Sequence, residues 1–307
     1  MSAVVRAQRT PQMPDPETIV YKTVQGCDIK LDVYRTGEGA SRPGLMWIHG
    51  GALINGSRKQ AGTPILPALV DKGYAVVSID YRLAPESKLP AIIEDVRDAW
   101  RWIRTEGNRR FGIDPARLSV SGGSAGGYLT LMCGFCLESR PRSLVSYYGY
   151  GDIDGPWYAE PDEFYRRQPL VTKEEMLRGV AKSVVSEPPP ERRQGNVYLY
   201  CRQQGIWPIE VTGHDPRKEP HWFDQYCPVR NVAKAYPPTL LIHGTADTDV
   251  PYAESKAMAA RLAEVGVEHE FITVPGAGHG LGDAKPEDKA HFTRRALEWI
   301  ESHTKAA

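Results

Sequence analysis

Apolar residues fall in two rhythms along this chain. Ile29, Leu31 and Val33 alternate with polar neighbours, the pattern of a strand with one face on a core and the other in water. The run 18–24 is similarly β-rich, and Gln25-Gly26 stands between the two, so a hairpin is predicted. Residues 45–48 and 74–80 are instead continuous apolar runs, which suit strands buried on both faces. Comparable short runs stand at 118–121, 144–149, 239–243 and 269–274. Helical spacing fills the gaps. Residues 63–72 carry Pro64 near the start and Gly73 after the end, and residues 91–105 place Ile92, Val96, Ala99, Trp100 and Ile103 on one face. Further helices are predicted after Ser124, over 251–265 and over 286–304. Strands alternating with helices in this way predict an α/β fold: a mostly parallel, doubly wound sheet with an N-terminal antiparallel hairpin.

The rhythm breaks after Gly151. From there to about Ala235 the chain is rich in Pro, Trp, Tyr and Arg, with one clear helix predicted over 172–185, where Thr172 and Glu175 form a capping box. A structureless loop of this length does not suit a compact domain, so residues 151–235 read as a cap or lid insertion. The expected organisation is an N-terminal arm (1–17), a core made of 18–150 and 236–307, and the insertion.

Composition narrows the function. The chain has 307 residues, with 38 Lys+Arg against 38 Asp+Glu. Net neutrality offers no field for nucleic acid, and no apolar run reaches the length of a membrane span. The polar, Pro-rich start lacks the apolar stretch of a signal peptide. Five cysteines (Cys27, Cys133, Cys136, Cys201 and Cys227) are too few and odd in number for a disulfide framework, which points to a reducing, cytoplasmic setting. Cys133 and Cys136 have redox or zinc spacing but fall inside a predicted helix with no second pair, so they read as small buried thiols. Homo-oligomerisation is left open.

The candidate chemistry centres on Gly122-Gly123-Ser124-Ala125-Gly126, a run of small residues between a strand and a helix. Such a turn can cradle a phosphate or make a corner. It can also lift a serine hydroxyl clear of the sheet, which only very small neighbours permit. A serine nucleophile needs a base, and the base needs an acid to orient it. Asp247 follows the strand at 239–243, and His279 follows the next strand in a Gly-rich loop. In a parallel sheet those loops share one edge.

The chain order Ser124, Asp247, His279 is that of the α/β-hydrolases. The sequence resembles the esterase/lipase branch of that fold, close to the hormone-sensitive-lipase-like esterases. His49-Gly50-Gly51-Ala52 is similar to the family's oxyanion loop, Asp80-Tyr81-Arg82-Leu83-Ala84-Pro85-Glu86 to its next signature, and residues 121–127 to its serine elbow. Asp247-x-x-Val250-Pro251 resembles its acid motif, which favours Asp247 over Asp249. Two departures stand out: Gly123 occupies the place where relatives carry Asp, and His49 comes too early for the family's N-terminal helical cap.

The resemblance implies a serine carboxylesterase acting on short-chain acyl esters through Ser124, Asp247 and His279, needing no metal or organic cofactor. Backbone N–H groups of Gly50, Gly51 and Ala125 would form the oxyanion hole. His49 and His243 are expected to be structural, and His214, His221, His269, His291 and His303 to lie on the surface or cap. Asp80 and Glu86 are expected to hold their loop with Arg82, and Glu94 and Asp95 to face water. Ala52, Trp157, Trp207 and Trp222 are the candidate pocket residues, although the insertion's aromatics could equally form its own small core. The alternatives are a carbohydrate or acetyl esterase, a small-amide or peptide hydrolase, and a non-catalytic ligand receptor on the same fold.

Overall fold

The computed structural model describes residues 12–37, 41–61 and 63–306; most of the expected N-terminal arm lies outside them. Eight strands form one sheet in the order β1-β2-β4-β3-β5-β6-β7-β8. They are β1 (Glu17–Val24), β2 (Cys27–Tyr34), β3 (Arg42–Ile48), β4 (Ala75–Ile79), β5 (Ile113–Gly123), β6 (Leu144–Tyr147), β7 (Thr239–Gly244) and β8 (His269–Val274). β1, β2 and β4 pair antiparallel, and every pairing from β4 through β3 to β8 is parallel. The predicted hairpin turns at Gln25-Gly26, both with positive φ.

Strand alternation sorts the core into two layers. Met46 and Ile48 of β3 and Val77 and Ile79 of β4 face one layer with α2 (Leu89–Trp102) and α3 (Ala125–Cys136). Leu45, Trp47 and Val76 face the other, with α1 (Ile65–Asp71) and the C-terminal helix. Continuous apolar runs thus serve both faces of central strands. β3 lies between β4 and β5, so the crossover direction reverses beside it. The crevice at the C-terminal ends of β3 and β5 is where such sheets bind ligands.

Between β6 and β7 the chain forms short helices, including α4 (Lys173–Arg178), α5 (Val197–Gln204) and α6 (Trp207–Thr212). The capping box of Thr172 and Glu175 is present. The helix it starts is shorter than expected: it stops at Gly179, a residue pressed against Gly195 (2.9 Å from its Cβ position to the Gly195 Cα) and Val197. α7 (Tyr252–Val265) and α8 (Pro286–His303) complete the core. No described helix is long and apolar enough to cross a membrane.

Buried guanidinium groups fasten the loops, with partners that differ from the expected ones. Asp80 pairs with Arg58 (2.6 Å), not Arg82, and the same Arg58 reaches Asp32 (3.0 Å) and Glu187 (2.5 Å). Arg82 instead holds Asp95 (2.7 Å) and Glu94 (2.8 Å). Asp95 is therefore fully buried rather than facing water; the guanidinium and Lys22 supply the donors its desolvated carboxylate requires. Glu86 pairs with Arg192 of the 151–235 segment (2.6 Å). A charge buried in this way is costly to orphan. Arg58→Ala should lower the unfolding free energy by about 3–5 kcal/mol in urea titrations, because Asp32 and Asp80 lose their shared cation. Arg101→Ala, at a solvent-facing pair, should cost less than about 1 kcal/mol.

Candidate active site

The turn after β5 is shaped by what cannot fit there. A Cβ on Gly126 would lie 2.1 Å from the Ile48 carbonyl oxygen and 2.6 Å from that of His49. One on Gly122 would meet the Gly126 and Ile48 oxygens at 2.5 and 2.6 Å. The glycines thus let two backbones touch where any side chain would hold them apart. Ser124 is forced to φ 57°, ψ −125° at the start of α3, a region L-residues avoid and functional sites exploit. Its N–H donates to the Tyr147 carbonyl (2.9 Å), tying the turn to the neighbouring strand.

Three loops on one sheet edge bring the expected side chains together. The Ser124 hydroxyl lies 3.0 Å from His279 Nε2, and His279 Nδ1 lies 2.8 Å from Asp247 Oδ2. A carboxylate can only accept, so Nδ1 carries the proton and Nε2 is free to accept from Ser124. The Asp247 side chain is fully buried. Burial alone would raise its pKa, but donation from His243 and His279, with the Val250 N–H (2.9 Å), holds it well below the usual carboxylate range. His279 titrates above its ordinary value: burial opposes the charged ring, and the Asp247 hydrogen bond with the fields of Asp249 and Asp247 outweighs it.

The loop after β3 abuts the serine. A Gly50 Cβ would lie 2.8 Å from the Gly123 oxygen and 3.2 Å from Ser124 Cβ. Gly51 takes φ +106° with no room for a side chain beside Asn55. Gly50, Gly51 and Ser124 line one cavity of about 400 Å³. Ala125 is the first residue of α3, with its amide at the helix N-terminus. His49 is buried and stacked on Tyr81 (4.2 Å), and its Nδ1–H donates to the Gly50 oxygen (2.7 Å). Burial lowers its pKa to about 4, so the ring is a neutral brace at neutral pH. His243 is likewise a buried brace, bonded through Nδ1 to Ser255 (2.7 Å).

The sequence reading missed two features. Tyr148, with φ 37°, packs its ring edgewise on His279 (4.9 Å). Its hydroxyl oxygen lies 2.8 Å from where a Gly123 Cβ would sit. The side chain missing at Gly123 is thus matched by a ring from the next strand end, and the adjacent Tyr147-Tyr148-Gly149 was the available signal. The second feature is Asp249. Its Oδ1 accepts from Tyr165 (2.7 Å), Tyr198 and Arg202 (2.9 Å), while Oδ2 lies 3.4 Å from His279 Nε2. Arg202 is buried, pairs also with Asp162 (2.8 Å), and packs over the Trp157, Tyr158, Tyr165 and Tyr198 rings. Asp249 therefore fastens the 151–235 segment, while Asp247 contacts Nδ1.

Of the four candidate pocket residues, Ala52 lines the Ser124 cavity and the three tryptophans do not. Trp207 is fully buried, stacks on Tyr158 (4.0 Å) and donates its indole N–H to the Ala52 oxygen (3.0 Å). Trp157 also stacks on Tyr158 (3.7 Å), and Trp222 stacks on His214 (4.1 Å). Trp207 belongs to the main core cluster, and Trp157 and Trp222 pack against it. Among the described residues, Asp152, Asp154 and Cys227 converge within 4.8 Å as metal ligands can, but Arg230 already supplies a cation there, 2.8 Å from Asp154.

Comparison with known proteins agrees with this architecture. The chain is 29% identical over 269 residues to esterase LipC of Mycobacterium tuberculosis, covering 85% of this chain and 60% of that protein. It is 26% identical over 309 residues to the non-reducing polyketide synthase Preu6 of Preussia isomera, covering 89% of this chain but 14% of the synthase. The chain thus spans only part of the length of these relatives. A hyperthermophilic esterase of Pyrobaculum calidifontis superposes with a TM-score of 0.68 at 23% identity, over 95% of this chain and 85% of that one. Residues 45–282 match the alpha/beta hydrolase fold family, and the chain belongs to that family.

Proposed function

We propose that this chain is a serine carboxylesterase acting on esters of short acyl chains. The observation that carries the reading is the continuous line Asp247–His279–Ser124, at 2.8 and 3.0 Å, beside a loop of side-chain-free backbone. Ser124 Oγ attacks the ester carbonyl carbon and its proton passes to His279 Nε2. Asp247 holds the Nδ1–H tautomer and stabilises the imidazolium that forms. The oxyanion sits against the amides of Gly50, Gly51 and Ala125. Collapse expels the alcohol, which takes the proton from Nε2. Water, deprotonated by the same nitrogen, then attacks the acyl carbon; the Ser124 Oγ–acyl bond breaks, Oγ takes the proton back from Nε2, and the acid leaves. These steps use side chains and backbone only.

Residues 151–235 act as a cap in this reading. Tyr198 and Asp249 narrow the cavity from that side, and Arg192–Glu86 and Arg202–Asp249 pin the cap to the core. The 400 Å³ cavity suits a small acyl group. One observation favours a second reading, an esterase of acetylated polyols: Asn55, Gln60, Tyr198 and Asp249 put hydrogen-bonding groups around the serine. Turnover rates on aryl acetates, acetylated sugars and amino-acid arylamides separate the two readings from amide chemistry.

Ser124→Ala should cut kcat on an aryl acetate by roughly a million-fold while leaving the thermal unfolding profile intact. Turnover that survives in this variant sinks the assignment. The pH profile provides an independent check. His279 must be neutral to accept the proton, and its pKa lies above 6.5. Activity should therefore be lost as pH falls, with the kcat/KM midpoint above 6.5. Asp247, held well below the usual carboxylate range, stays ionised through this fall and adds no break of its own. Asp247→Asn should reduce kcat about ten-thousand-fold by releasing the tautomer and move that midpoint downward, because a stabilising negative charge is removed.

A further inference from the structure

A second void opens beside the serine cavity. This cleft, about 640 Å³, lies between the start of α1, the end of β6, the loop after His279 and α8. Its walls are mostly apolar, from Trp47, Tyr147, Leu281 and Phe292, with Lys289 and Thr293 on the α8 side. The Trp47–Tyr147 and Tyr147–Phe292 ring pairs stand edge to face at 6.4 and 6.5 Å, and Trp47 is fixed by donation to the Gln60 carbonyl (3.1 Å). The cleft and the serine cavity share four residues: Trp47, Gln60, Tyr148 and Gly280. Tyr148, whose ring packs on His279, forms the partition between them. The two voids therefore adjoin at Tyr148 and Gly280, the ring packed on His279 and the residue that follows it.

That position selects the part of the substrate that reaches the cleft. The leaving oxygen must come to His279 Nε2 to collect its proton. The next residue, Gly280, lines both voids, and Leu281 and Gly282 continue into the cleft wall. A group attached to the leaving oxygen is thus directed past Tyr148 and along 280–282. We propose that this cleft is the binding site for an apolar leaving alcohol, an aryl or long alkyl group, so that the preferred ester joins a small acid to a large apolar alcohol. This rests on the proposed esterase reading for its catalytic arm only, because binding of the free alcohol needs no turnover.

Thr293→Phe narrows the cleft from a helix surface without touching Ser124, His279, Asp247 or the loop at 50–51. Two ester series test it in wild type and variant: acetates of methanol, 2-naphthol and decanol, and methyl esters of acids of increasing length. The expected result is a KM rise of about tenfold or more for naphthyl and decyl acetate, with methyl acetate and the acyl series unchanged. Calorimetry with free 2-naphthol should show binding to wild type that weakens by a similar factor in Thr293→Phe. An effect confined to the acyl series, or equal 2-naphthol binding in both proteins, overturns the proposal. If wild type hydrolyses no ester yet binds 2-naphthol in the Thr293-dependent way, the esterase reading fails and the cleft assignment stands.

Discussion

The structure depends on one contact between two stretches of bare backbone. The strand-to-helix turn at Gly122–Gly126 lies so close to the carbonyls of Ile48 and His49 that a single Cβ would come within 2.1 Å of an oxygen. Everything proposed for the chemistry uses this closeness. It brings Gly50 and Gly51 to the same void as Ser124, and it over-determines a serine backbone conformation that costs on the order of 1–3 kcal/mol on its own. The cost is offset by parallel pairing: Ile48 is in register with Gly122, and Gly123 with Tyr147, on the two sides of β5. Strain at the serine is therefore carried by the three most central strands of the sheet.

A second layer of organisation is ionic. Arg58, Arg82, Arg192 and Arg202 are each largely or fully buried and each engages at least one carboxylate. Arg58 locks β2 to the end of β4, while Arg192 and Arg202 join the 151–235 segment to the core. The planar guanidinium serves several acceptors at once, which a lysine cannot do with the same geometry. Arg202 matters most for the site, because it leaves Asp249 with one oxygen committed to the 151–235 segment and the other turned toward His279. The position of that segment and the surroundings of the imidazole thus meet at one carboxylate.

Much of this could be read from the chain. The alternation of strands and helices in a mostly parallel sheet, the hairpin at Gln25-Gly26 and the convergence of Ser124, Asp247 and His279 follow from local signals: apolar runs, tiny residues, and loops that must share a sheet edge. What could not be read were partnerships set by tertiary distance. Nothing near Asp80 in sequence announces Arg58, and helical periodicity puts Asp95 on a polar face although Arg82 and Lys22 draw it into the interior. The tryptophans looked equally suited to a pocket and to a core; the stack Trp157–Tyr158–Trp207 made them core. Gly123 was legible as a gap, but the ring that fills it comes from a strand paired with β5 only in space.

The contact of bare backbone at Gly126 is proposed to give Ser124 its reactivity. The direct test is the rate at which a fluorophosphonate modifies the protein, followed by intact mass and by mapping the modified peptide, in wild type and in folded Gly126→Ala. The account predicts one equivalent on Ser124 in wild type and a rate reduced on the order of a hundredfold in the variant, as expected when an oxyanion donor is displaced. Equal rates in the two proteins, or modification at a residue other than Ser124, would contradict it.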